Sequence, residues 1–269
     1  MITSASNPTI KAIRKLTEHK ARQQSGLFLI EGLRIVAEAI QCGAKIDSII
    51  FSTELLVSEF GQSLIAACLA KEIPLVEVSA QVFMTLSNKD GPQGIAAVVH
   101  QSWQSLSDTS LQPGDLWVAL ESVQNPGNLG TVVRTSEAVG AQGIFLLDQS
   151  TDPYDPKAVK ASMGAIFSLN LVKTDFQAFS TWLNHQKVGL IGSSDKAALD
   201  YIDLDYPETC ILLMGSERQG LPQHYLDICT QVVRIPMLGR SDSLNLAIAT
   251  SIILYQIYNQ KRRKPASQG

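Results

Sequence analysis

Three short polar loops carry the residues most able to do chemistry. The first, NPGNLGTVVR at 125–134, follows the apolar run LWVALESV and leads into the helix-like run TVVRTSEAVGA. A strand, a Gly-rich turn and a helix start commonly cradle phosphate, because free N–H groups and the helix dipole welcome anions. Pro126, Gly127 and Gly130 tighten the turn and let another backbone approach. Asn128 is suited to cap a helix beginning near Leu129. At ~100° per residue, Val132, Ser136 and Val139 share one face, and Arg134 points the other way, beside Gly130. The Arg134 fork suits phosphate oxygens. The spacing is neither G-x-G-x-x-G nor G-x-x-x-x-G-K-[ST], so neither dinucleotide nor Walker-type binding is supported.

The second loop, MGSERQGL at 214–221, sets Gly215 and Gly220 around Ser216, Glu217 and Arg218. Glu217 can pair with an Arg or accept hydrogen bonds from bound groups. The third, IPMLGRSDSLN at 235–245, leaves a strand at Pro236, which cannot continue a ladder. Its Gly239, Ser241, Asp242, Ser243 and Asn245 precede an apolar helix that Ser243 or Asn245 can cap. Ligands of open parallel sheets bind beyond the carboxyl ends of the strands. Three polar loops at that edge can form an adenosine pocket.

The elements that position these loops alternate. In the first hundred residues, NPTIKAIRKLTEHKARQ predicts one charged amphipathic helix, and LFLIEG, IDSIIFS, PLVEVS and GIAAVVH predict strands. Helices are expected over LRIVAEAIQCG, stopped by Gly43, over LIAACLAKE and over QVFMTLS. Residues 101–115, QSWQSLSDTSLQPGD, have linker composition. They divide a small α/β domain, 1–100, from a second domain, 116–269. There the strands DLWVALE, GIFLLD, AIFSLNLV, VGLIGSS, CILLMGS and VVRIPML alternate with helical runs at 129–140, 155–163, 175–186 and 221–227. Such apolar strands predict a mostly parallel sheet covered on both faces. LNLAIATSIILYQIYNQ is apolar almost all round, and a helix of that kind is buried in a core or against another subunit; the second is expected.

Composition narrows the classes. The chain has 269 residues, 45% of them apolar, and a net charge of −3, which argues against a uniformly basic nucleic-acid coat. Lys11, Arg14, Lys15, Lys20, Arg22 and Arg34 nevertheless face only Glu18 and Glu31, and Lys261, Arg262, Arg263 and Lys264 form a basic tail. No run suits a membrane span or a secretory signal, so a soluble cytoplasmic protein is expected. The cysteines, Cys42, Cys68, Cys210 and Cys229, and the four histidines lack paired spacing. Buried free thiols and no metal are the expectation.

In order along the chain, NPGNLGTVVR, MGSERQGL and IPMLGRSDSLNLA resemble the three signature motifs of the SpoU (TrmH-type) RNA ribose 2′-O-methyltransferases. Between them, KAVKASMGAIFSL resembles the segment of that family around K-A-S-x-G-A. FLIEGLRIVAEAI and DGPQGIAAVV resemble its substrate-binding domain, related in fold to a ribosomal protein. The resemblance implies an α/β fold whose C-terminal methyltransferase domain is a deep trefoil knot, an exception to the rule against threading. It implies S-adenosyl-L-methionine held by the second and third loops, with Gly215, Ile235 and Leu244 at the contact positions and Met214, Met237 and Gly239 beside them. It also implies a homodimer with a site built from both subunits.

The implied reaction is attack of a ribose 2′-hydroxyl on a sulfonium methyl, with RNA as partner and rRNA rather than tRNA as the favoured substrate. The proton-accepting role falls by resemblance to Arg134, although a guanidinium, with a pKa above ~12, is a poor base. Arg134 either loses its proton in a special site or stays charged and stabilises the developing alkoxide. Asn128 orients Arg134 or the ribose; Glu217, Ser243 and Asn245 shape the site. Asn125, Arg134, Lys11, Arg14 and Lys15 are the expected RNA contacts. The competing classes are a non-catalytic RNA-binding or ribosome-assembly protein and a knotted base methyltransferase.

Overall fold

Contacts in the computed structural model, which describes residues 1–87, 91–240 and 243–263, sort the chain into two units. Unit 1 is Met1–Gln101 with Tyr154–Phe167, and unit 2 is Ser102–Pro153 with the chain from Ser168 onward. The first hundred residues give α1 (Pro8–Lys15), α2 (His19–Ser25), β1 (Leu27–Glu31), α3 (Leu33–Gln41), β2 (Ile46–Phe51), α4 (Glu59–Ala70), β3 (Leu75–Glu77), α5 (Ala80–Met84) and β4 (Ile95–His100). The remainder gives β5 (Leu116–Glu121), α6 (Pro126–Ala138), β6 (Gly143–Leu147), α7 (Pro156–Ser162), β7 (Asn170–Thr174), α8 (Phe176–Leu183), β8 (Gly189–Ser193), β9 (Leu199–Asp200), β10 (Cys210–Met214), α9 (Gln223–Leu226), β11 (Gln231–Arg234) and α10 (Leu246–Arg263).

In unit 1 the sheet order is β1-β4-β2-β3, with β4 antiparallel to both neighbours and β3 parallel to β2. Ile10, Ile13, Ile50, Val82 and Phe83 are part of one core cluster there. The single N-terminal helix expected from periodicity is two helices. Arg22 explains the break: it is 1% exposed, its guanidinium donates to the carbonyls of Leu16 (3.0 Å) and Thr17 (2.9 Å), and it pairs with Asp155 at 3.5 Å. A buried cation thus satisfies the carbonyls just beyond α1 that a continuous helix would have bonded internally. Arg22 therefore leaves the set of surface cations.

Residues 154–167 pack with this unit although they lie inside the second half of the sequence. The Tyr154 ring lies 4.7 Å from that of Phe28, and Phe167 stacks on Phe28 at 6.2 Å. The strand expected over AIFSLNLV accordingly starts late. Ala165–Phe167 is a 3₁₀ turn, and β7 begins at Asn170.

Unit 2 carries a seven-stranded sheet in the order β7-β6-β5-β10-β8-β11-β9, parallel at every recorded pairing. Every residue of β5, β6 and β10 is buried, as expected for strands covered on both faces. The two-residue edge strand β9 was not expected; Arg234 holds its Asp200 at 2.6 Å. The Ser/Gln-rich stretch after Gln101 is no free tether. Leu106 and Leu111 pack on the unit 2 core, and Thr109 accepts the Trp182 indole N–H at 3.1 Å. The cysteines are unbridged, but Cys42 is exposed rather than buried, because it sits at the C-terminal cap of α3. Burial pushes the Cys210 thiol up to about 11 and that of Cys229 up to about 12. Among the described residues no helix is long and apolar enough to cross a membrane, and no His/Cys/Asp/Glu group could hold a metal ion. Asp242 and Lys264 lie outside the described residues, as does Ser241.

Candidate functional site

The three polar loops meet in unit 2 through one chain of hydrogen bonds. The α6 cap is Asn125, not Asn128: Asn125 Oδ1 accepts from the backbone N–H of Gly127 (2.8 Å) and Asn128 (3.2 Å), and Pro126 occupies the first helical turn. Proline suits that position because its missing N–H would have had no helical partner. The helix therefore starts three residues earlier than Asn128 capping would allow, and the Asn128 side chain is released for another task.

That task is a polar relay. Asn128 Nδ2 donates to Glu217 Oε1 at 3.0 Å, and Asn128 Oδ1 accepts from Asn245 Nδ2 at 3.0 Å. Asn245 Oδ1 in turn accepts from the Ala247 (2.9 Å) and Ile248 (3.4 Å) N–H groups at the start of α10. An ionised carboxylate only accepts and helix N–H groups only donate, so both amides between them have one allowed orientation. Glu217 also accepts from the N–H groups of Gln124 and Asn125, each at 3.1 Å. Burial alone would raise its pKa. The Asn128 side chain and the surrounding backbone N–H donors outweigh that and hold the carboxyl below the ordinary carboxylate range.

Two outcomes follow. Glu217→Gln places an NH₂ among three donors, so the loop loses about 1–3 kcal/mol at neutral pH, read as a lower unfolding midpoint. Because the folded carboxyl is the stronger acid, its contribution is complete above the unfolded carboxylate range and is lost as pH falls through the folded value. The wild-type and Glu217→Gln melting curves should therefore converge on acidification. A gap that stays constant to low pH would show that the charge is not what Glu217 contributes.

Beside the relay lies a cavity of about 530 Å³, within the ~300–1,000 Å³ usual for small-ligand sites. Met214, Gly215, Ile235, Met237 and Leu244 all line it, as do Glu217 and Ser243. Gly239 does not, and is exposed. The second loop folds back on itself: the Gly220 N–H donates to the Ser216 carbonyl at 3.0 Å, and a Cβ on Gly215 would stand 2.1 Å from the Gly220 carbonyl carbon. Backbone therefore forms part of the wall. Apolar side chains and polar ones, among them Ser243 and Glu217, complete the lining.

Sequence reasoning missed two contributors. Ser193, Ser194, Asp195 and Lys196 line the same cavity from the end of β8. The signal was present, since VGLIGSS ends at the same sheet edge. Glu121, the buried last residue of β5, accepts the Ser216 N–H at 3.3 Å. A carboxylate closing an otherwise apolar strand was also visible.

A family model described as the SpoU rRNA Methylase family matches residues 115–255, more than half of the chain. The chain belongs to the SpoU rRNA methylase family. An MRM3-like substrate binding domain matches residues 7–97. The AdoMet-bound rRNA methyltransferase of Sinorhizobium meliloti superposes with a TM-score of 0.89 at 35% identity, over 96% of this chain and 97% of that one. The 23S rRNA (uridine(2479)-2′-O)-methyltransferase of Streptomyces viridochromogenes is 28% identical over 91% of this chain and 87% of its own. The 23S rRNA (guanosine(2553)-2′-O)-methyltransferase of Bacillus subtilis is 28% identical over 95% and 98%.

The residues expected to meet RNA are distributed as follows. Arg134 is exposed on the third turn of α6, without a hydrogen bond or ion pair among the described residues, and it does not line the cavity of its own chain. Asn125 spends its side-chain oxygen on the cap. Lys11 and Lys15 are exposed on α1. Arg14 is tied down instead, donating to Thr85 Oγ1 at 2.8 Å and the Ala5 carbonyl at 3.4 Å.

Proposed function

We infer that the protein is an S-adenosylmethionine-dependent rRNA 2′-O-ribose methyltransferase. The observation that carries this reading is the convergence of Glu217, Asn128 and Asn245, one from each SpoU motif, beside a cavity with a backbone wall at Gly215. Relatives named for 2′-O-methylation of 23S rRNA and a neighbour bound to AdoMet support it. Those relatives are named for different bases, so the shared chemistry is that of the ribose.

S-adenosylmethionine, when bound, supplies an electrophilic methyl on sulfur that leaves neutral and needs no acid. Gly215, Ile235 and Leu244 would hold it, with Met214 and Met237 beside them and Ser243 at the rim. Glu217, Asn128 and Asn245 keep the first and third loops in register, so that attacking oxygen and methyl can align. Arg134, with its planar cationic fork, clamps a substrate phosphate and stabilises negative charge developing on the 2′-oxygen.

The remaining parts of the reading are a knotted loop arrangement, a cytoplasmic location with the ribosome, and a homodimer. The outer face of α10 supports the dimer: Ile248, Tyr255 and Tyr258 are exposed, and their spacing of seven and three puts them on one stripe. Arg134 lies outside its own chain's cavity, as a site completed by two subunits requires. Sedimentation of the protein at micromolar concentration should give twice the chain mass.

The deciding experiment transfers a tritiated methyl from S-adenosylmethionine to rRNA and maps it by alkaline hydrolysis. Label coinciding with one cleavage gap is expected, because a 2′-O-methyl blocks cleavage there. Label without a gap means base methylation, and no label means a non-catalytic RNA-binding protein.

A further inference from the structure

The motif KAVKASMGA has no part in the methyl-transfer site described above, yet it is built with care. Gly164 adopts a φ of +99°, and a Cβ there would stand 2.8 Å from the Glu38 side chain. Ser162 is buried and donates to the Val159 carbonyl at 2.8 Å. Arg22 pairs with Asp155 just before α7. All these residues belong to unit 1, and α7 forms one wall of a second cavity in that unit, of about 290 Å³.

The walls of this cavity are chiefly apolar: Leu29, Ile35, Leu86 and Val159. Arg34 and Lys160 also line it, and both are exposed. Neither has an ion-pair partner among the described residues, although the chain as a whole has a net charge of −3. Gln93 commits its Oε1 to the Leu33 N–H at 3.0 Å, which orients its NH₂ as a donor. The lining thus combines an apolar slot, two cations without an ion-pair partner among the described residues, an amide donor and the Glu31 carboxylate, which accepts the Ser87 hydroxyl at 2.6 Å.

We propose that this cavity takes one unstacked nucleotide of the substrate RNA. The base enters the slot between β1, α3 and α7, its carbonyl oxygen meets the Gln93 NH₂, and Arg34 and Lys160 hold the flanking phosphates. Charge complementarity selects the occupant, because an apolar metabolite needs no cations and an acidic peptide needs no apolar slot. The volume is at the lower edge of small-ligand sites, room for a base rather than for a helix. Splayed single-stranded bases are what proteins read in RNA, and an Arg plane can stack on one. The proposal rests on the rRNA reading above and names where unit 1 grips that substrate. It also gives the KAVKASMGA motif a task, since Val159 and Lys160 complete the slot.

The test uses the full chain and a fluorescein-labelled single-stranded RNA of mixed sequence, with anisotropy measured across a salt series. The double variant Arg34→Ala/Lys160→Ala should weaken binding at least tenfold and lower the salt slope by about 1.4, from ~0.7 per phosphate contact. Ile35→Trp, which fills the slot, should weaken binding with the slope unchanged. In wild-type protein, uridine or guanosine monophosphate should give saturation-transfer NMR signals that Ile35→Trp abolishes. S-adenosylmethionine affinity and melting temperature should stay at wild-type values in the double variant. Unchanged RNA affinity and slope in the double variant would overturn the proposal. So would loss confined to the cation variant with monophosphate signals surviving Ile35→Trp, since the cations would then be a general surface patch. None of these readouts uses methyl transfer, so absence of 2′-O-methyl product sinks the enzymatic reading and leaves the binding result standing.

Discussion

Arg134→Ala should lower methyl transfer by about 10²–10³-fold, the usual loss when one donor to a developing oxyanion is removed. Stability should hardly move. The side chain is exposed and has no partner among the described residues, so its removal leaves nothing unsatisfied and stays within about 0.5 kcal/mol. S-adenosylmethionine affinity should also be unchanged, because the proposed role of Arg134 is toward the RNA and it does not line the cavity of its own chain. Arg134→Lys separates charge from geometry. A lysine keeps the cation but loses the planar fork, and bidentate phosphate contact depends on that fork. Intermediate activity with a raised KM for RNA is expected. Near-wild-type turnover by the alanine variant would remove Arg134 from the chemistry altogether.

Gly215→Val should cut S-adenosylmethionine affinity by about 10–100-fold, measured by calorimetry. The physical cause is the Gly220–Leu221 peptide, which lies where the side chain would go. A Cβ would stand 2.1 Å from the Gly220 carbonyl carbon and 2.3 Å from both the Gly220 oxygen and the Leu221 nitrogen. These are backbone atoms, so no rotamer change relieves the clash and the loop must open. Overpacking of this kind costs about 1–3 kcal/mol, which at 1.4 kcal/mol per decade is about 5–150-fold and brackets the stated range. Opening would also disturb the Ser216 N–H held by Glu121 and the neighbouring Glu217 contacts. The loop begins just beyond the carboxyl end of β10, and the strand ladder ends at Met214, so the far-ultraviolet circular dichroism should remain native. Unchanged affinity would mean that the 214–221 loop is not the cofactor wall.

Much of this was legible in the chain itself. The strand runs of unit 2 were readable because strands buried on both faces are nearly continuous apolar segments. Gly215 was readable as a turn position, and the resemblance to the SpoU motifs singled out Met214, Ile235, Met237 and Leu244, which line one cavity. Gly239 was grouped with them, but proximity in sequence did not bring it to the cavity.

Other features escaped because their causes are not local. Arg22 looks like one more surface cation on an amphipathic stretch; only the paired carbonyls of Leu16 and Thr17 with Asp155 turn it inward. Asn128 looks like a helix cap because its residue type and position allow it. Asn125 takes the cap, since Pro126 fits only the first turn, and Asn128 finds partners 89 and 117 residues away in Glu217 and Asn245. Asp195 and Lys196 carry no pattern of their own, and their place at the cavity follows from where β8 sits in the sheet.

The sequence by itself determined most of the strand and helix segments, which loops are polar and Gly-rich, and which residue types stand ready in them. Periodicity and backbone preference are short-range properties, so they survive in a string of letters. The tertiary structure alone decided which amide caps and which relays, which cation is buried, and that residues 154–167 pack with the N-terminal unit. Those choices depend on matching each donor to an acceptor across long separations, and such pairings come into being only when the chain has folded.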